Sequence, residues 1–363
     1  VSSYSKILEN IDWELITLIL ALISTGLVAL FSATYFSQTS IFWKQLVWIA
    51  VGLLAMLIGF ILDYRFLMRL AWPLYVLVVI LLVVVLGIGR EISGARRWLS
   101  LGPLGIQPSE MAKIMIIIWI GYWGSKKKNL EDYGFRELTI PLVIILVPTG
   151  LILAEPDLGT AGMLMLISIG MFLLLGIRRS TLIISFLLFL GVLPIAWFSL
   201  KEYQRLRILS FIDPSRDPLG SGYHALQSKI AVGSGGFLGK GFLHGTQTQL
   251  RFLPEHHTDF IFSVVAEEWG FLGSALVITL FFLLITKIIA IGLKAKDRFG
   301  AMICFGIAIL ITLHVFINMA MTVGMFPVVG VPLPFISYGG SFMIINLACI
   351  GVILSVAWRK HMF

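Results

Sequence analysis

The chain of 363 residues is 58% hydrophobic and 13% charged, with a mean hydropathy of +0.98, whereas soluble domains run to about 45–50% apolar and about 25% charged. That composition excludes an ordinary soluble globule, and apolar runs of about 20 residues, each long enough to cross a hydrocarbon core about 30 Å thick as a helix, recur from end to end. The net charge of +8 points to anionic lipid headgroups or an anionic substrate, since nucleic acid is a poor partner for so apolar a chain.

In chain order, ten spans are predicted at about 14–33, 42–62, 66–88, 106–124, 138–154, 160–176, 181–199, 260–291, 299–322 and 339–358. The opening residues Val1 to Glu14 carry no cationic region followed by a small-residue cleavage site, so the first span is expected to act as its own signal. An even number of spans puts both termini on one side. Placing them in the cytoplasm puts fifteen of the 27 Lys and Arg residues in inside loops and helix ends, among them Lys126 to Lys128, Arg178, Arg179, Lys294, Lys296 and Arg298. Three unusual segments then fall outside: 89–109, 200–258 and the uncharged 323–338. Aromatic and aliphatic residues run through 200–258, so it reads as an ordered external cap within a single membrane domain. Its glycines Gly220, Gly222, Gly233, Gly235 and Gly236 are expected to give it freedom to move with a partner. The fold class expected is an all-α integral membrane protein. Cys304 and Cys349 lie in apolar runs without metal or redox spacing and read as core residues.

Several polar groups stand out against this background. Lys44, at the start of the second span, suits a snorkelling anchor. In Gly94-Ala95-Arg96-Arg97-Trp98-Leu99 the arginines fit either headgroups or a diphosphate; beyond them Gln107-Pro108-Ser109-Glu110 opens a helix on which Glu110 and Lys113 share a face. Glu155-Pro156-Asp157-Leu158-Gly159 is an acidic hairpin, with Asp157 placed to cap the next helix.

The strongest candidate is Phe252-Leu253-Pro254-Glu255-His256-His257-Thr258-Asp259-Phe260-Ile261-Phe262, in which Thr258 suits a helix cap and Asp259 the first turn. Three roles are open for Asp259: a favourable charge at a helix N-terminus, a general base, or a ligand for a divalent metal. Glu267 and Glu268 lie two turns further on and suit partners for a Lys or Arg. His314 and Asn318, four apart, are expected to share a buried hydrogen bond. The apolar stretch from Gly324 to Ser341, interrupted by Pro327, Pro332 and Pro334, cannot form a regular helix, and at membrane depth it must be buried in protein or line a cavity, as a re-entrant segment does.

Together with Glu155-Pro156-Asp157-Leu158-Gly159-Thr160-Ala161 and Pro327-Val328-Val329-Gly330-Val331-Pro332-Leu333-Pro334-Phe335-Ile336-Ser337-Tyr338-Gly339-Gly340-Ser341, these motifs resemble the SEDS family (shape, elongation, division and sporulation) over nearly the whole chain and in the family's order. Gly245-Thr246-Gln247-Thr248-Gln249-Leu250-Arg251 is similar to the rod-shape branch, RodA, rather than the division branch, FtsW. Phe342 departs from the small residue usual after Gly-Gly-Ser in that family and is expected to alter packing there.

The resemblance implies a GT-C-like fold and a peptidoglycan glycosyltransferase of the bacterial plasma membrane, with its site on the outer face. Such an enzyme polymerises lipid II into glycan strands by inverting transfer, with undecaprenyl diphosphate leaving. The implied partners are lipid II, the nascent strand, membrane lipids and a class B penicillin-binding protein. Asp259 is the implied essential carboxylate, and Mg or Mn is an implied cation, with no organic cofactor. Lys44, Arg96, Arg97, Lys113, Glu110, Gln107, Glu155, Asp157, His257 and Ser337 make up the expected substrate- and diphosphate-contacting set. Two other classes of function compete with this one. A lipid II flippase needs charged groups along a path through the bilayer, and a non-catalytic scaffold for cell-wall synthases tolerates loss of Asp259.

Overall fold

The computed structural model describes residues 11–35, 39–92, 95–101, 104–126, 135–176, 200–218, 220–250 and 257–359, with residues 178, 183, 184, 187, 191, 197, 198 and 252 between them. The long helices are α1 (Trp13–Thr34), α2 (Thr39–Ile61), α3 (Tyr64–Ile88), α4 (Pro108–Lys126), α5 (Phe135–Ala154), α6 (Leu158–Leu175), α10 (Ile261–Leu293), α11 (Arg298–Thr322) and α12 (Gly340–Arg359). Eight of them are long and apolar enough to cross a membrane. The exception, α4, carries Glu110, Lys113 and Lys126. The span expected over 181–199 falls largely outside the described residues, as do Lys127, Lys128 and Arg179.

One expectation changes. The 89–109 segment is not a plain loop in an all-helical protein: it holds a small antiparallel sheet of β1 (Arg90–Ile92), β2 (Ala95–Leu101) and β3 (Leu104–Ile106), in that order. Strands this short bury too little surface to register among 20-residue apolar runs. The described residues of 200–258 hold α7 (Glu202–Ile212), a 3-10 turn at Pro214–Arg216, α8 (Ser221–Ser234) and α9 (Thr246–Gln249).

The centre of the bundle is α11 and α12, most of whose residues are buried, while few of those of α2 and α3 are. In a bilayer their apolar outer faces, including Leu54, Leu57, Val76 and Ile80, meet lipid. α2 and α12 approach closely through small residues. A Cβ on Gly351 would lie 2.2 Å from the Met56 carbonyl oxygen, and one on Gly59 would lie 3.1 Å from that of Ala348.

The polar groups separate to the two ends of the bundle. At one end Asp297, the cap of α11, accepts from the Tyr64 hydroxyl and from Arg65 at 3.3 Å. Lys287 near the end of α10 pairs with Asp12 at 3.1 Å and with Glu14, and Arg359 lies 3.6 Å from Asp63. These contacts tie the starts of α1, α3 and α11 to the ends of α10 and α12, and all the motif residues described next lie at the other end. Gly351→Val is expected to overpack the α2–α12 contact and cost about 1–3 kcal/mol, read as a lower thermal midpoint of the detergent-solubilised protein.

Candidate functional site

The segment between α11 and α12 is irregular, as its prolines require, and Val331, Leu333, Phe335, Ile336 and Ser337 within it are buried. Removing backbone donors leaves carbonyls to be satisfied by side chains, and α11 supplies them. His314 Nδ1 lies 3.1 Å from the Pro332 oxygen, and Asn318 Nδ2 donates to the Val331 oxygen at 2.7 Å. The two side chains face the same way but hold the Pro/Gly segment rather than each other. That corrects the shared hydrogen bond expected of them: each finds a backbone acceptor left free by proline.

The same segment grips the turn that carries Asp259. Tyr338 N donates to the His257 oxygen at 3.0 Å, Ser337 Oγ to the Thr258 oxygen at 2.6 Å, and Asn318 Nδ2 to the Asp259 oxygen at 2.7 Å. Ser337 Oγ also accepts from Leu333 N at 2.8 Å, and Gln45 of α2 brackets the segment through the Ser337 oxygen and Gly339 N, both at 3.3 Å. With three successive carbonyls turned outward, the helix cannot start at Thr258. It starts at Ile261 with Phe260 as its cap, and Asp259 precedes the cap instead of occupying the first turn. The half-buried Asp259 side chain points toward Gly330, where φ is +78° and a Cβ would lie 3.2 Å from Oδ2. His257 is half-buried with its ring 5.9 Å from that of Tyr338.

The acidic hairpin joins this site from α5 and α6. Asp157 caps α6, accepting from Thr160 N at 3.1 Å and from its hydroxyl at 2.9 Å. A Cβ on Gly159 would come within 2.3 Å of the Val329 side chain, so the hairpin abuts the residue next to Gly330. Arg97 of β2 closes over it, donating to the Glu155 and Pro156 oxygens and lying 3.7 Å from Asp157. Glu155 is buried, and neither carboxylate oxygen has a hydrogen-bond partner among the described residues. Burial, and next to it the charge of Asp157, push its pKa up to about 8 against the pull of Arg97.

The Glu110–Lys113 pair forms as its spacing predicts, at 2.7 Å, but it is buried, and the Lys113 ammonium also lies 2.9 Å from His314 Nε2. Sequence reasoning missed this link to the Pro/Gly segment, because His314 lies 201 residues away. Lys44 and Arg96 are exposed, and Gln107 is half-buried just before α4. Phe342 is buried with its ring 5.0 Å from that of His314. Glu255 and His256 lie outside the described residues. Among the described residues no three His, Cys, Asp or Glu side chains group as a metal cage. Among the described residues Asp259 would be the carboxylate that holds a hard divalent ion, with substrate phosphates and water to complete its coordination.

The profile of the cell cycle protein family FtsW/RodA/SpoVE matches residues 12–362, and the chain belongs to that family. It is 39% identical over 354 residues to "Peptidoglycan glycosyltransferase MrdB" of Escherichia coli strain K12, covering 97% of this chain and 95% of that protein. It is 38% identical over 366 residues to "Probable peptidoglycan glycosyltransferase FtsW" of Trichlorobacter lovleyi, covering 96% and 94%. Among solved structures, a chain from "Structural coordination of polymerization and crosslinking by a peptidoglycan synthase complex" superposes with a TM-score of 0.84 at 33% identity, over 97% of this chain and 99% of that one. The rod shape determining protein RodA of Thermus thermophilus does so at 0.73 and 29%, over 97% and 98%. The protein is thus a multi-pass membrane protein of this family, with the fold of its solved members.

Glu155 has a measurable consequence. Its folded-state pKa is raised from 4.5 to about 8, so over that interval the unfolded chain binds fewer protons and stability falls as pH rises. The contribution is complete below about pH 4.5 and lost as pH climbs through about 8. Thermal midpoints measured from pH 5 to pH 8.5 are expected to fall more steeply for the native protein than for Glu155→Gln.

Proposed function

We propose that this chain is a peptidoglycan glycosyltransferase that polymerises lipid II, acting in cell elongation as the rod-shape branch does. The observation that carries the reading is the fixed Asp259 carboxylate beside Gly330, in a chain whose curated relatives bear that activity in their names. In the proposed step Asp259 accepts the proton of the acceptor's GlcNAc 4-hydroxyl as its oxygen attacks the donor's MurNAc anomeric carbon. The new glycosidic C–O bond forms with inversion while the bond to the diphosphate breaks, and undecaprenyl diphosphate departs with the electron pair. A base held by its backbone needs little reorganisation as the reaction proceeds.

The leaving diphosphate needs positive charge. Lys44 and Arg96 are the exposed cations of the expected set, whereas Arg97 is committed to the 155–157 hairpin and Lys113 to Glu110 and His314. On their exposure at this end of the bundle, Lys44 and Arg96 are the proposed diphosphate contacts, and the other two hold the walls of the site. Asp259 would be the carboxylate to hold a divalent ion, which would supply Lewis-acid stabilisation of the leaving group. Both termini are proposed to be cytoplasmic and the Asp259 end of the bundle extracytoplasmic, in keeping with the separation of polar groups between the two ends. A class B penicillin-binding protein is the proposed partner, supported by the likeness to a chain of a peptidoglycan synthase complex.

Lipid II polymerisation by the full chain, with a partner transpeptidase whose serine is blocked, tests the reading. Asp259→Asn is expected to lower chain synthesis by at least about 100-fold, as loss of a general base does, while complex formation is retained. Loss of activity on chelation, restored by Mg²⁺ or Mn²⁺, would support a divalent ion at Asp259. Glycan of equal amount and length from both proteins would sink the assignment and favour a scaffold. Gly330→Ala, which introduces a methyl at a φ of +78° and 3.2 Å from the carboxylate, is expected to lower kcat at least about 10-fold through misplacement of the base.

A further inference from the structure

Helix α10 is broken at Gly270, whose φ of 61° and ψ of −151° lie in a region that only glycine enters without strain. An unbroken helix would bond Phe271 N–H to the Glu267 carbonyl and Leu272 N–H to the Glu268 carbonyl. At the break these four groups turn to the cap segment that follows α8. Phe271 N donates to the Gly236 oxygen at 2.9 Å and Leu272 N to the Phe237 oxygen at 3.3 Å, while the Glu267 and Glu268 oxygens accept from Lys240 N and Gly241 N, both at 3.0 Å. Residues 236–241 are spliced into the helix where two of its own bonds would be.

Side chains reinforce the splice. Glu267 is fully buried and accepts from Lys240 Nζ at 2.7 Å, Thr246 Oγ1 at 3.1 Å and Gln247 N at 3.0 Å. Ser32 of α1 donates to Glu268, and the rings of Phe237 and Phe271 stack at 5.7 Å. The fit leaves no room for side chains: a Cβ on Gly270 would lie 2.4 Å from Gly239 N, one on Gly239 2.1 Å from the Glu268 oxygen, and one on Gly235 1.9 Å from the Ala266 oxygen. Gly235 therefore serves close contact rather than the mobility expected of the cap glycines.

The break divides α10 into a short leg, Ile261 to Trp269, with Asp259 just before it, and a long leg anchored by Lys287. At 1.5 Å per residue the short leg is about 13 Å long, so a 10° change of direction at the break moves its outer end by about 2 Å. A misplacement of about 1 Å can cost about 100-fold in rate. We propose that residues 235–241 are a positioning clip for Asp259, setting the direction of the short leg from inside the helix break, and that the clip-engaged form is the active one. The proposal rests on Asp259 being the essential carboxylate.

The test uses the full chain with its partner and lipid II. Gly270→Ala places a methyl against Gly239 and favours a continuous helix. It is expected to lower kcat at least about 10-fold with KM within about threefold, since no clip residue belongs to the proposed substrate-contacting set, and to abolish hydrogen-exchange protection of the Lys240 and Gly241 amides. As a converse test, Phe237→Cys with Phe271→Cys pins the clip in place, and the native Cys304 and Cys349 are both buried and do not compete. The oxidised pair is expected to keep activity within about twofold of its reduced form.

Unchanged kcat in Gly270→Ala overturns the proposal, and so does an oxidised pair that is inactive until reduced, because the clip would then have to leave during turnover. Should Gly270→Ala fail to fold, Glu267→Gln removes the ion pair with Lys240 but keeps an acceptor. A fall in its kcat of about threefold or more at unchanged KM supports the clip, and an unchanged kcat counts against it. If Asp259→Asn still polymerises lipid II, the reading of Asp259 fails; if it is inactive while Gly270→Ala is fully active, only the clip fails.

Discussion

Three consecutive carbonyl oxygens, those of His257, Thr258 and Asp259, each accept a hydrogen bond, from Tyr338, Ser337 and Asn318 respectively. The placement of Asp259 depends on this triple lock. A carboxylate on an unconstrained turn would sample many positions, and ordering its backbone costs about 1–2 kcal/mol per residue. Here that cost is offset within the fold by bonds from a segment that is itself buried, so the carboxylate is oriented before any ligand arrives. The Pro/Gly segment suits this role because its prolines prevent a helix, which would have consumed Ser337 Oγ and Tyr338 N in local bonding.

The segment in turn depends on α11. Asn318 Nδ2 lies 2.7 Å from both the Asp259 and the Val331 oxygens, so one amide stitches the carboxylate's turn to the segment facing it. His314 extends the stitch to α4. A lysine ammonium can only donate, so Lys113 requires His314 Nε2 to accept, which leaves Nδ1–H to donate to the Pro332 oxygen. A buried ion pair such as Glu110–Lys113 adds little net stability, but removing one partner leaves an uncompensated charge and costs about 3–5 kcal/mol. Its contribution here is specificity: it fixes the tautomer and direction of the imidazole that meets Pro332.

Much of this was legible in the sequence because each signal was local. The Glu110–Lys113 spacing, the Asp157 cap, Pro108 at the start of α4 and the impossibility of a helix from Pro327 to Pro334 all follow from relations within a few residues. The structure departs from expectation where partners are distant. Thr258 does not cap α10, because its carbonyl is claimed by Ser337, 79 residues away. His314 and Asn318 do not bond to each other, because proline leaves better acceptors opposite them. The β-sheet escaped notice because its strands are three to seven residues long. The splice at Gly270 was invisible because Gly270 reads as one more small residue in an apolar run, and its φ depends on a segment about 30 residues earlier in the chain.

A lipid-linked donor imposes two demands on one site: its tail needs hydrocarbon, and its diphosphate needs fixed positive charge at the membrane edge. In the proposed reading the exposed apolar faces of α2 and α3 would meet the first, and the end where α2 begins and β2 crosses would meet the second. Successive side chains on a strand point to opposite faces, so β2 separates two adjacent arginines that look equivalent in sequence. Arg97 turns inward, half-buried, and is spent on the carbonyls of the acidic hairpin, while Arg96 is exposed. A helix at this point would set the two only 100° apart and leave both competing for the same carbonyls. The short sheet lets one arginine build the wall that abuts Val329 and Gly330 while its neighbour faces outward at the same level.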